Sequence, residues 1–408
     1  MSTKRCQRVR GLAPPSAWEA GIAVDLLLEI VARTDVKTVV RTAATCRLFR
    51  RAILEPASRS RLALQLAADD VTGFDPALLL GVSYLEYDDG KITTYRIVHT
   101  PAPDQLRARL DAGSLRESFR PVASRDRLLL LRRHSERRQL DLRVCDVLTG
   151  HVTDLPPVSL PDAYHYVFLR VGDGDAGASF DLLVMDHIMC YQIFSAEEGR
   201  WGAVRQASLP SHSHHPNPAV NQLCTSRPAV IGRTVYWTCC TNAYWDRILA
   251  LDVDAAKTTL MKLPRGFICG VIPRESEKCL LLASVRGRLN LLFSGAFHGI
   301  TMWTLTPASA GSAATWSRRL VISLLEIKRQ VQDFVCTRFL NLEEFGERSG
   351  TLILHLGGCG ELFRLNLGIK EETPVVIRRI KGPGSARVTS LFLHETDVIS
   401  LLKAMKSV

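Results

Sequence analysis

The chain has 408 residues, 46% hydrophobic and 23% charged, with 52 Lys and Arg against 41 Asp and Glu for a net charge of +11. It is too long for one ordinary domain and too apolar for a disordered chain, so two or three globular units are expected, one of them large. No apolar run approaches the roughly eighteen residues of a membrane span, a typical one being Leu128 to Leu131, so no membrane is expected as a partner.

The opening MSTKRCQRVRG is charged and is not followed by an apolar segment, so no secretory signal is expected and the location should be cytoplasmic or nuclear. The eleven cysteines should then be reduced thiols. They include no C-x-x-C pair, and the adjacent Cys239 and Cys240 would point to opposite faces of a strand, so neither a disulfide framework nor a structural zinc is expected. Residues 1–66 carry 12 basic and 5 acidic side chains, a net +7, which leaves 40 against 36, a net +4, for the remaining 342. The basic excess lies at the N-terminus, where it could serve nucleic acid, an anionic membrane or an acidic protein.

From Ile22 the sequence reads IAVDLLLEIVART, with Ile22, Leu26, Leu27, Ile30 and Val31 at helical spacing. After a break at Thr34 and Asp35, Val39, Ala43, Cys46, Phe49 and Ile53 recur at steps of four, three, three and four until Pro56. This predicts two or three short amphipathic helices, a unit near the lower size limit for an independent core and one that needs a partner surface.

These residues carry a resemblance. Ile22 to Thr34 follow the order L-P-x-D-L-L-x-E-I-L-x-R-L, and Thr45 to Ala52 echo V-C-R-x-W-R-x-L, so the stretch from Ile22 to Leu54 resembles an F-box. The chain departs from the family pattern at Ala23, Thr34 and Phe49, where proline, leucine and tryptophan are usual. The resemblance implies docking onto a Skp-type adaptor, and through it a cullin scaffold, with Ile22, Leu26, Leu27, Ile30, Val31, Val39, Cys46 and Phe49 as adaptor-binding positions.

Beyond residue 80 the pattern changes to short runs rich in Val, Ile, Leu, Tyr and Phe between Gly, Pro, Asp and Ser clusters, as in LDLRVCDV (140–147), AVIGRTVYWTCC (229–240) and CLLLASVRGRLNLLF (279–293). Leu155-Pro156, Leu209-Pro210 and Leu263-Pro264 are 54 residues apart, each after a strand-turn segment, with degenerate copies near 315–323 and 373–380. A period of this length with several strands per unit is the mark of propeller blades, about six of them over this length. A pair of stacked sandwiches is the alternative. A helical F-box-like module followed by degenerate strand repeats resembles the plant F-box proteins, the grass-type ones included, whose propeller-like associated domain is expected to hold an unidentified target.

Enzyme signatures are weak. Gly172, Gly174 and Gly177 satisfy G-x-G-x-x-G, but a strand-like FDLLVMD follows and Asp173 and Asp175 would repel a pyrophosphate, so a hairpin or blade-connecting loop is expected. His212, His214 and His215 lie in a Pro-bracketed polar loop and read as a solvated turn, even with Cys224 nearby. The arginine-rich stretch from Arg125 to Arg143 reads as a solvated hairpin, since it lacks interleaved aromatics, and nucleic acid is not expected as a partner. No catalytic, cofactor-binding or metal residues are expected, and no cofactor.

The expected architecture is a multidomain α plus all-β chain. It comprises a basic tail (1–17), a three-helix F-box-like module (18–66), a linker (67–80), a β-propeller-like recognition domain of about six blades (81–400) and a short tail (401–408). The expected role is substrate selection for an SCF-type ubiquitin ligase, by proximity and without catalysis. A propeller-type small-ligand binder or enzyme is the rival, favoured if carboxylates or histidines converge at the propeller's centre.

Overall fold

The computed structural model describes residues 24–32, 34, 36–45, 47–55, 58, 74–88, 91–99, 119–133, 140–160, 162–174, 177–208, 227–240, 245–264, 278–295, 298–307, 314–331, 340–356, 361–367, 376–380 and 387–404. The chain divides into two units, and the larger runs from Asp70 to Ala404.

The described part of the smaller unit is helical: α1 (Val24–Ala32), α2 (Val36–Thr45) and α3 (Arg47–Leu54). Thr34, the position where leucine is usual, stops α1. Its backbone N–H and its hydroxyl both donate to the Val31 carbonyl, at 3.1 and 2.8 Å, satisfying an acceptor that the helix end leaves open. α3 ends two residues before Pro56, as the missing N–H and the steric demand of proline dictate. The three helices touch pairwise, and Val31, Val39, Ala43 and Ile53 are buried.

The larger unit is a ring of antiparallel sheets. It begins with β1 (Leu79–Asp88) and β2 (Lys91–His99). The first blade is β3 (Phe119–Arg125), β4 (Leu128–Arg133), β5 (Leu142–Asp146) and β6 (Val152–Asp154). The second is β7 (His165–Gly174), β8 (Gly177–Met185) and β9 (Cys190–Ser195), whose outer edge is shared by β10 (Arg200–Trp201) and β11 (Arg205–Gln206). The third is β12 (Ala229–Ile231), β13 (Thr234–Cys240), β14 (Trp245–Asp252) and β15 (Lys257–Lys262). The fourth is β16 (Leu280–Val285), β17 (Arg288–Gly295), β18 (Gly299–Thr306) and β19 (Thr315–Ile322), followed by helix α4 (Leu324–Gln330). The fifth is β20 (Asn341–Phe345), β21 (Thr351–Leu356), β22 (Glu361–Asn366) and β23 (Ile377–Ile380). Then β24 (Arg387–Glu395) returns to pair with β1, in the order β2-β1-β24, before helix α5 (Val398–Ala404).

Strand periodicity explains the ring. Alternate residues point to opposite faces, and here both faces are covered by neighbouring sheets, so the central strands read as unbroken apolar runs. In Leu128–Leu131, Leu128 and Leu130 join the core shared with the second blade, while Leu129 and Leu131 join the core shared with the β2-β1-β24 sheet. Leu182 and Leu183 divide in the same way between the first and third blades. Leu280 and Leu281 do so between the third and fifth. Ile353 and Leu362 complete the circuit against Val82 and Leu391 of the closing sheet. The described residues thus hold five complete blades and a three-stranded closing sheet, where about six equivalent blades were expected.

Leu155-Pro156 follows β6 and Leu263-Pro264 follows β15, each leaving the outer strand of its blade. Leu209-Pro210 lies outside the described residues. Of the G-x-G-x-x-G glycines, Gly172 and Gly174 lie at the end of β7 and Gly177 opens β8, with Gly174 opposite Gly177.

Candidate functional site

The inner strands of the ring, β3, β7, β12, β16, β20 and β24, surround a central cavity of about 170 Å³. Its apolar walls come from Ala123, Val167, Val230 and Leu282, and its polar groups from Arg125, Asp126, Arg227, Glu344, Glu347 and Glu395. These charged residues lie at or just beyond the ends of inner strands, and that position brings them together from distant parts of the chain.

Arg227 is the hub. Its Nε lies 2.6 Å from Glu344 Oε2, Nη1 donates to Ser124 Oγ at 2.8 Å, Nη2 donates to the Leu391 carbonyl at 2.7 Å, and the guanidinium stands 4.5 Å from the centre of the Phe392 ring. One planar five-donor fork thereby joins the third blade to the first, the fifth and the closing sheet. Burial pushes the Glu344 carboxyl up to about 8 against the opposing pull of Arg227. Arg125 donates to the carbonyls of Phe168 and Leu169 at 2.8 Å each and faces Glu347 at 3.4 Å. Glu395 accepts from the backbone N–H groups of Arg348 and Ser349 at 3.1 and 2.7 Å, and Arg348 in turn pairs with Asp126. His165, at the start of β7, has its Nε2 buried without a hydrogen bond, and burial lowers its pKa to about 4, so the ring is neutral.

The cavity shares Arg125, Asp126 and Glu347 with an open mouth of about 580 Å³. The mouth is built from the hairpins that link the first and second strands of the blades. They supply Arg125 and Asp126 from the first blade, Arg233 from the third, Arg286 from the fourth, and Glu347 and Arg348 from the fifth, while Arg170 comes from within β7 of the second blade, opposite Asp181 on β8. Five arginines face two carboxylates on this lining. Arg286 and Gly287 form the β16–β17 turn with φ of 53° and 67°, a left-handed pair that suits a tight hairpin and projects the arginine outward.

The arginine-rich stretch read as a solvated hairpin is more structural than that: Arg127 is buried, with Nε 2.8 Å from Asp146 Oδ2, and also bonds Ser400 of α5. Of the mouth arginines, Arg125 was named in the sequence, within the arginine-rich stretch, but Arg170, Arg233, Arg286 and Arg348 were not, although VIGRTVYW and VRGRLNLL show the available signal, an arginine recurring in the first hairpin of successive blades. His212, His214, His215 and Cys224 lie outside the described residues. Among the described residues, no group of three or more His, Cys, Asp or Glu could hold a metal ion, and no helix is long and apolar enough to cross a membrane.

Of the expected adaptor-binding positions, Leu26 and Ile30 are exposed on α1, Val31 and Val39 are buried, and Phe49 is half-buried on α3. Ile22, Cys46 and the side chain of Leu27 lie outside the described residues.

Residues 81–408 match the profile described as a domain of unknown function, DUF7595. The chain belongs to the DUF7595 family. The DUF7595 match starts inside β1 and runs past β24 and α5, so the family's domain takes in all five blades and the closing strand pair, while the three helices precede it. No curated protein matches the chain. Among solved structures, this DUF7595 protein is similar to the β-propeller domain of Cps50 (Swd1) from Myceliophteria thermophila, at 11% identity over 66% of this chain and 88% of that one, with a TM-score of 0.33. It is also similar to a DUF4784 family protein from Bacteroides caccae, at 11% identity over 77% and 73%, with a TM-score of 0.39.

Proposed function

We propose that this chain is the non-catalytic substrate-recognition subunit of an SCF-type ubiquitin ligase, its helices docking a Skp-type adaptor and its propeller holding the protein to be modified. One observation carries the reading. Leu26 and Ile30, one turn apart on α1, are 58% and 51% exposed, and the F-box order assigns both to adaptor contact. Two large aliphatics in water on one helical stripe are the kind of anchor that a helix interface buries.

The carboxylates converging on the central cavity favour the rival reading, a small-ligand binder or enzyme, and their partners argue against it. Glu344 is engaged by Arg227, Glu347 by Arg125, Asp126 by Arg348 and Glu395 by two backbone N–H groups, so each joins sheets together. The deciding experiment is a binding titration of full-length chain against a purified Skp-type adaptor, with L26A, I30A and the double variant alongside. Each truncation should weaken binding more than tenfold, as the loss of roughly 2 kcal/mol or more at an anchor requires. Absence of binding by the folded wild type, or equal binding by all variants, overturns the reading.

A further inference from the structure

We propose that the arginine-lined mouth binds a short acidic peptide segment, its anionic groups being phosphates or clustered carboxylates; this rests on the recognition role proposed above and names the chemistry of the target. The mouth gathers Arg170, Arg233 and Arg286 from the second, third and fourth blades around one opening, while Arg125 and Arg348, which also line it, are engaged by Glu347 and Asp126. Its volume of about 580 Å³ falls within the range of specific ligand pockets, roughly 300–1,000 Å³. Guanidinium forks are matched to phosphate and carboxylate oxygens, which they bind in bidentate fashion.

The arginines are pre-positioned by acids set behind and between them. Arg233 Nη1 lies 3.0 Å from Asp181 and its Nε 3.1 Å from Asp254, while Arg170 Nη2 lies 2.8 Å from Glu197 and its Nε 3.5 Å from Asp181. Such pairs fix the forks and leave further N–H groups for a ligand, since each guanidinium carries five donors. Arg286 and Arg170 are both exposed, Arg286 on a turn whose backbone is left-handed at a residue that is not glycine.

The same acids separate a peptide from a nucleic acid. A continuous phosphate backbone would run over Asp254 and Glu197, which are 62% and 60% exposed around the rim, whereas a single cluster of anions can sit inside them. Among the described residues, the mouth's lining includes no aromatic side chain on which a base could stack.

The test uses the full-length chain on degenerate peptide libraries with a central phosphoserine or phosphothreonine, with four consecutive Asp or Glu, or unmodified, and single-stranded poly(U) alongside. The wild type should retain one acidic library at least tenfold over the unmodified one, and which library it retains identifies the source of the anion. Arg286→Ala and the double variant Arg286→Ala/Arg170→Ala should each lose that enrichment about tenfold or more with an unchanged melting temperature, and Arg318→Ala, on the outer strand β19, should keep it. Arg286→Ala stands on an exposed turn, so the comparison survives if the double variant is unstable. No enrichment of either acidic library, equal enrichment by the mouth variants, or tighter retention of poly(U) than of any peptide overturns the proposal. The L26A/I30A chain should retain the libraries unchanged, so failure of the mouth and failure of adaptor docking are read separately.

Discussion

Arg227 and Glu344 meet in the central cavity with Nε 2.6 Å from Oε2, and through this pair the entrance to the third blade is tied to the inner strand of the fifth. The same guanidinium reaches the first blade at Ser124 and the closing sheet at Leu391. A single side chain therefore holds four sheets in register around the axis.

Replacing Arg227 with alanine should cost on the order of 3 kcal/mol, through loss of the hydrogen bonds its guanidinium gives to Ser124 and the Leu391 carbonyl and of its contact with Glu344. Arg227→Lys should recover only part of this, because one point donor cannot serve a carboxylate, a hydroxyl and a carbonyl lying in different directions. Urea midpoints near pH 7 for the three chains check the order, wild type above lysine above alanine.

Glu344 gives stability a pH dependence of the less common sign. Its carboxyl is raised from 4.5 to about 8 by burial, so between those values the folded chain holds a proton that the unfolded chain releases, and stability falls as pH rises through that window. Glu347 and Glu395, raised by the same burial, add slope of the same sign. Glu344→Gln should flatten the decline between about pH 5 and about pH 8 by on the order of 1 kcal/mol or more, measured by urea unfolding at several pH values.

His165 acts in the opposite direction. Burial lowers its pKa from 6.5 to about 4, so the unfolded chain gains the proton first, and the stability present above 6.5 is lost as pH falls towards 4. The ring sits between Tyr164 and Trp237, at centroid distances of 4.2 and 6.1 Å, where phenylalanine could stand without titrating. His165→Phe should retain on the order of 2 kcal/mol more stability near pH 4 than the wild type, relative to each chain's value near pH 7. Equal acid losses in the two chains would show that the imidazole is not the titrating group.

Truncation should separate the two units. A chain beginning at Asp70 should keep the melting transition of the larger unit, whereas one ending before Arg387 loses β24 and α5, leaves the inner edge of β1 unpaired and exposes Val82 and Tyr84. The second should aggregate on expression, and size-exclusion chromatography distinguishes the outcomes.

Much of the ring was legible in the sequence because its signals are local. Leu128–Leu131 announces a strand buried on both faces, VIGRTVYW and VRGRLNLL announce hairpins, and two Leu-Pro pairs mark where the outer strands end. The pairing of β1 with β24 was not legible, since it joins Leu79 to Glu395 and no turn connects them. The charged cluster escaped for the same reason: Arg227, Glu344 and Glu395 look like ordinary surface residues until the ring brings them to its axis. At the helices, spacing identified the apolar stripes but could not divide them between Val31 and Val39, which the protein buries, and Leu26 and Ile30, which it exposes.

The β1–β24 pairing bears on how the chain is made. Synthesis proceeds from the N-terminus at about 5–20 residues per second, so β1 leaves the ribosome long before the strand that completes its sheet has been translated. Successive blades can pair locally as they emerge, but the ring can seal only after β24 has cleared the exit tunnel. Until then β1 is an open strand edge, the kind of surface that nascent-chain chaperones shield, and translation stopped anywhere short of β24 yields a product fit only for degradation.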